Sequence, residues 1–253
     1  MATLPASPVA DRGEARFFLI MACLMAGTLV TGFGLNAALG RSSFGSPLLI
    51  HLHAVTFFGW VTLYVTQNAL IFAGNYRLHR TLGWLALGWI PAMVVLGTMV
   101  TLHSLRSAGG PPFLDQNEFL FGNPIGILAF AGLALWAISM RRNTSWHRRL
   151  MFCAMALLTG PGFGRLLPMP FLIPWGWWAA NLAPLVFPLV GMLADRRRYG
   201  AIHPAWLRGI GVALGALLLA DLLAYSPIGY ALTERVLAGT PGAARQMAAF
   251  FPM

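Results

Sequence analysis

Charge is scarce in this chain, and lysine is missing altogether. Only 9% of the 253 residues are charged, against about 25% in an ordinary soluble domain, so a surface that faces water on every side is excluded. Acid is scarcer still: seven Asp and Glu stand against 17 basic residues, all of them arginine, for a net charge of +10. The two cysteines, Cys23 and Cys153, form no CxxC and exclude a disulfide scaffold. Both lie inside apolar runs, where thiols behave as small core residues. HExxH and HxxxH are absent, and no glycine-rich stretch leads into the Lys and Ser/Thr of a phosphate loop. Disorder is excluded by a hydrophobic content of 58%.

What the chain has instead is long apolar runs, with a mean hydropathy of +0.69. Seven of them, at about 17–39, 47–74, 81–106, 119–140, 150–168, 174–194 and 209–233, are long enough to cross a bilayer. The sequence therefore predicts an all-α polytopic membrane protein: a flexible tail over 1–16, a seven-helix domain over 17–238 and a C-terminal tail over 239–253. The first run is too long for the core of a signal peptide. The fifth carries Gly160, Pro161, Gly162 and Gly164, which predicts a break or kink within it.

The arginines orient the chain. Arg12, Arg16, Arg77, Arg80, Arg141, Arg142, Arg148, Arg149, Arg196, Arg197, Arg198 and Arg208 fall on one side, and Arg41, Arg106, Arg235 and Arg245 on the other. Twelve against four predicts a cytoplasmic N-terminus and an outside C-terminus, in an inner membrane if the source is bacterial. Trp175, Trp177 and Trp178 then mark the outer interface. A pI near 11.2 is explained by this topology signal, and no basic helix in a soluble segment points to nucleic acid.

All six histidines fall at the membrane edges. His53 is 74 − 53 = 21 residues up the second run and His103 is 103 − 81 = 22 up the third, which predicts that these two imidazoles meet near the outer face. His51, Asp115 and Glu118 are the further candidates for an outer metal site, against a reading in which these groups are hydrogen-bonded at the headgroups. On the inner side, His79, His147 and His203 each precede a run, at spacings of 147 − 79 = 68 and 203 − 147 = 56, a weak internal pattern. Beside Arg80, Arg148 and Arg149 they read as helix caps and a lipid-phosphate surface, or as a second metal site with Asp195. Within the membrane, Arg165 is 15 residues from the inner end of its run and Asp221 is 12 from that of its own, which predicts an Arg165–Asp221 pair. Gln67, Asn68, Asn123 and Asn181 are intramembrane amides suited to joining helices.

HLHAVTFFGW at 51–60, HRTLGW at 79–84, HRRLM at 147–151 and IHP at 202–204 resemble elements of a group of uncharacterised bacterial seven-helix membrane proteins. The chain is also more loosely similar to cytochrome b561-type proteins, which hold two haems between histidines at opposite membrane sides. That likeness implies His53 and His103 outside, and His79 and His147 inside, as axial ligands of haem b. The chain departs from the pattern at His79 and His147, which the run boundaries leave in loops.

Three readings stay open. The first is a redox protein with haem or a transition metal at the outer histidines, exchanging electrons with a quinone. The second is a zinc-dependent membrane hydrolase acting on lipid. The third is a transporter, sensor or assembly factor without a cofactor, with Arg165 and Asp221 lining a pathway and lipid or a membrane protein as partner.

Overall fold

The computed structural model describes residues 12–42 and 44–251. Eleven α-helices occur among them: α1 (Arg12–Ala38), α2 (Leu48–Phe72), α3 (Tyr76–Gly83), α4 (Ala86–Ala108), α5 (Gln116–Ser139), α6 (Thr144–Leu157), α7 (Gly160–Leu166), α8 (Gly176–Leu182), α9 (Val186–Tyr199), α10 (Pro204–Ala224) and α11 (Pro227–Leu237). No strand is present among the described residues. Six helical stretches are long and apolar enough to cross a membrane: α1, α2, α4, α5, the Gly176–Tyr199 rod formed by α8 and α9, and α10. The protein is a multi-pass, all-helical membrane protein. Helices suit lipid because they satisfy every backbone polar group internally. Their outward faces carry Leu24, Val30, Val55, Leu128 and Leu222 exposed, apolar where a soluble helix is polar.

Proline and glycine set where these helices break. The fifth apolar run becomes α6 and α7, because Pro161 has no N–H to continue the ladder. Thr159 turns the chain there, its hydroxyl donating to Ala156 O at 2.6 Å. The seventh run ends at Ala224, short of the expected 233. Pro227 opens α11, and Ser226 caps it by accepting from Gly229 N at 2.9 Å. Helix α1 begins at Arg12, inside the stretch expected to be tail; residues 1–11 lie outside the described residues. The C-terminal segment packs back across the α4–α5 loop, where Gln116 N donates to Met247 O and Phe250 N to Pro112 O, each at 2.9 Å.

Helix α5 lies centrally, packed by α4, α6 and α10, while α1 packs on α2 and α7. The main core runs from Phe18, Phe152 and Trp206 to Met25, Trp60 and Phe130, with edge-on ring contacts between Phe152 and Trp206 and between Trp60 and Phe130. Helices α1 and α7 touch backbone to backbone at Gly32, where an added Cβ would sit 2.6 Å from Gly162 O.

Gly32→Ala is expected to cost about 1–3 kcal/mol, since backbone rather than a flexible side chain has to move. Gly27→Ala, on the same helix with nothing within 4 Å of the new Cβ, is expected to be neutral or to stabilise by up to about 1 kcal/mol. Thermal unfolding of both variants in mild detergent checks the pair; equal losses would contradict the packing.

Candidate histidine and ion-pair site at the arginine-rich end

Two short sequence elements place the histidines. Asn75 caps α3 by accepting from Leu78 N at 3.1 Å, and Asn143 caps α6 by accepting from Trp146 N at 3.4 Å. In each helix the fourth residue is a histidine whose own N–H bonds back to the cap, His79 to Asn75 O at 3.1 Å and His147 to Asn143 O at 2.9 Å. Neither histidine is in a loop, as the run boundaries suggested. Gly74, at φ +74°, makes the turn between α2 and α3 tight enough to lay α3 back along α2. The two imidazoles then lie near one another edge to face, with ring centres 6.4 Å apart and planes at 85°.

His147 Nδ1 is 2.7 Å from Ala137 O, which fixes the proton on Nδ1 and leaves the lone pair on Nε2, the arrangement by which ligating histidines are usually oriented. Burial holds His79 below the ordinary histidine range, with the His147 and Arg80 charges acting in the same direction and a hydrogen bond to the Gln67 backbone opposing. His79 Nδ1 and both amide atoms of Gln67 are buried without a hydrogen-bond partner. His203 does not join them. It caps α10, its Nδ1 accepting from Ala205 N at 3.2 Å. Burial and the Arg149 charge push it down to about 4, so the cap stays neutral and intact.

Behind His147 lies a buried ion cluster. Arg149 is fully buried and all five of its N–H groups are used. Nε donates to Asp195 Oδ2 at 2.7 Å and Nη2 to Asp195 Oδ1 at 2.6 Å, a bidentate pair. Nη2 also reaches Glu14 Oε1 at 3.4 Å, while Nη1 donates to Ser145 O at 3.0 Å and to its hydroxyl at 2.7 Å. Trp206 Nε1 donates to Asp195 Oδ2 at 2.7 Å, and Arg148 pairs with Glu14 at 2.6 Å. Helices α1, α6, α9 and α10 are tied at one point by two arginines and two carboxylates of zero net charge. Arg149 and Asp195, expected in a lipid-phosphate surface or a second metal site, are instead each other's partners.

The opposite end is not assembled as expected. His53 lies beside the Leu96 backbone, and Phe57 is level with Gly97, 3.3 Å from the Cβ an alanine there would carry. His103 is 103 − 96 = 7 residues further along α4, about 10 Å, so His53 and His103 do not meet. Counting depth from residue 81 misplaces them because the helical path turns back at residue 76. His51 is held by Phe44 O at 3.1 Å. Asp115 caps α5, accepting from Asn117 N at 2.7 Å, and Glu118 is buried beside Tyr225. No group of three His, Cys, Asp or Glu suited to a metal ion occurs among the described residues.

Arg165 and Asp221 are not paired either. Asp221 Oδ2 accepts from Trp178 Nε1 at 2.7 Å. Arg165 donates to Pro161 O at 2.9 Å and lies over Phe33, because the break at residue 160 packs α7 against α1 and α8. The ion cluster went unread in the sequence, since Arg149 sits in an Arg-Arg pair that looks like any loop charge. The histidine pair did have a readable signal: N-x-x-x-H-R occurs at 75–80 and again at 143–148.

Comparison of the chain with known protein families, curated proteins and solved structures finds no match.

Asp195→Ala is expected to strand a buried guanidinium and to cost about 3–5 kcal/mol, read as a lowered unfolding temperature in detergent. Arg208→Gln, an exposed change at the same end, is expected to stay within about 0.5 kcal/mol. Equal stability of the two variants would contradict the clamp.

Proposed function

We propose that this protein is a redox carrier of the inner membrane whose centre is held by His79 and His147, with haem b as the group that fits. The carrying observation is the ring spacing of 6.4 Å. Two imidazoles that shared one metal ion, each bonded at about 2.0–2.1 Å, would have ring centres about 6 Å apart. A bare zinc ion takes three or four protein ligands, whereas a haem iron needs only two. The ligand count therefore favours haem over the zinc hydrolase, and the orphaned Gln67 amide beside the pair suits a polar group supplied from elsewhere.

Each residue has a defined task in this reading. His147 is oriented by Ala137 O, and Gln67 offers both a donor and an acceptor at the rim. The Arg149–Asp195 cluster keeps α6 in register so that His147 faces His79. Haem held by His79 and His147 would supply one-electron chemistry, for which a quinone in the bilayer would be a suitable partner. With α6 and α7 together as a broken crossing, the chain passes the membrane seven times. The arginine asymmetry then places the N-terminus, and with it the histidine pair, at the cytoplasmic face.

Absorption spectra of detergent-purified protein, oxidised and dithionite-reduced, test the reading. A Soret band with α and β bands that sharpen on reduction is expected in the wild type. It is expected to be lost in His79→Ala and in His147→Ala, and kept in His53→Ala and His103→Ala. A colourless wild type, or an unchanged spectrum in both inner variants, would overturn it.

A further inference from the structure

A groove of about 410 Å³ opens at the arginine-rich end, between α1 and α9. Both helices pack on α6, and the groove is the space left between them. Its α1 wall is Phe17. That ring lies parallel to Phe152 of α6, with planes 7° apart and centres at 6.4 Å, so the wall is supported from behind. The other wall is a single stripe of α9: Val190, Leu193, Ala194, Arg197 and Arg198, at the i, i+3, i+4, i+7, i+8 spacing that shares one helix face. This is not the stripe by which α9 joins the bundle. That one, Phe187, Gly191 and Asp195, is buried, with Trp206 filling the space beside Gly191.

The groove stripe changes chemistry along its length. Val190 and Leu193 are apolar and exposed. Arg197 and Arg198 are exposed in the last turn of α9, about 10 Å further along the helix. Neither guanidinium makes an ion pair among the described residues. The carboxylates close by are spent, Asp195 on Arg149 and Trp206, and Glu14 on Arg148 and Arg149. The groove therefore offers two uncompensated cations at one end and an apolar slot at the other. A free anion would use only the cations, and a zwitterionic lipid would bring its own positive charge up to them. A lipid of net negative charge matches both ends: guanidinium grips phosphate, and basic pockets between membrane helices hold anionic headgroups in this way.

We propose that this groove seats an anionic phospholipid, its phosphate held by Arg197 and Arg198 and its acyl chain laid along Phe17, Val190, Leu193 and Ala194. The site is separate from the His79–His147 pair and stands or falls without it.

Thermal unfolding of the full chain in mild detergent, titrated separately with phosphatidylglycerol, phosphatidylcholine and inorganic phosphate, tests the proposal. The wild type is expected to show a saturable rise in unfolding temperature with phosphatidylglycerol, since a ligand that binds only the folded state stabilises it. Phosphatidylcholine is expected to bind at least about tenfold more weakly, and phosphate to have no effect at matched concentrations. The double variant Arg197→Gln, Arg198→Gln changes only exposed side chains. It is expected to lose at least about tenfold in apparent affinity for phosphatidylglycerol, and with it the preference over phosphatidylcholine. Arg196→Gln with Arg208→Gln removes the same charge from the same end at exposed positions outside the groove, and is expected to titrate like the wild type. Ala194→Phe fills the slot while keeping both arginines, and is expected to weaken phosphatidylglycerol binding. Equal responses to the two lipids, or an equal loss in the two double arginine variants, would make the effect one of general surface charge and overturn the site. A rise reproduced by phosphate alone, or an Ala194→Phe titration like that of the wild type, overturns the lipid assignment.

Discussion

The contact between Arg149 and Asp195 is the constraint on which this architecture most depends. Burying a guanidinium costs several kcal/mol unless its donors are met, and here all five are, by Asp195, Glu14 and Ser145. The cluster contributes specificity more than stability, because any helix that slides by a turn leaves a charge unpaired. It therefore fixes the register of α1, α6, α9 and α10 at one end of the bundle. His147 lies two residues before Arg149 on the same helix, so the clamp also determines where that imidazole points.

Elsewhere the bundle is held by fit. The close approach of Gly32 to Gly162, and the Trp177 ring occupying the space a Cβ at Gly122 would need, allow interrupted helices to pack as tightly as continuous ones. The interruption at Pro161 carries Arg165 to Phe33, while Asp221, within α10, is held by Trp178.

Much of this was legible in the residues. Long apolar runs with little charge dictated the helical membrane class, and Gly160–Pro161 marked a break that α6 and α7 realise. The site was read less well, and for physical reasons. Depth along a helix can be counted from sequence only if the turn that starts the count is placed correctly. Asn75 capping a helix at Tyr76 moved that origin by about five residues, and with it His103 away from His53. Pairing between distant charges is harder still. Arg149 and Asp195 are 46 residues apart, and nothing local separates Arg149, fully buried, from Arg148, which is only partly so. The run boundaries leave His79 and His147, the implied inner ligands, in loops, because apolar content alone does not mark where the helices start. The repeated Asn caps start them earlier.

In the proposed function, His79 and His147 together would hold one iron. Low-temperature electron paramagnetic resonance of the oxidised protein tests this most directly, since the signal reports both the number of axial imidazoles and the angle between them. With ring planes at 85°, the account predicts a low-spin ferric signal of strong anisotropy. A high-spin signal, a weakly anisotropic low-spin signal of the kind parallel imidazoles give, or no haem signal would contradict it.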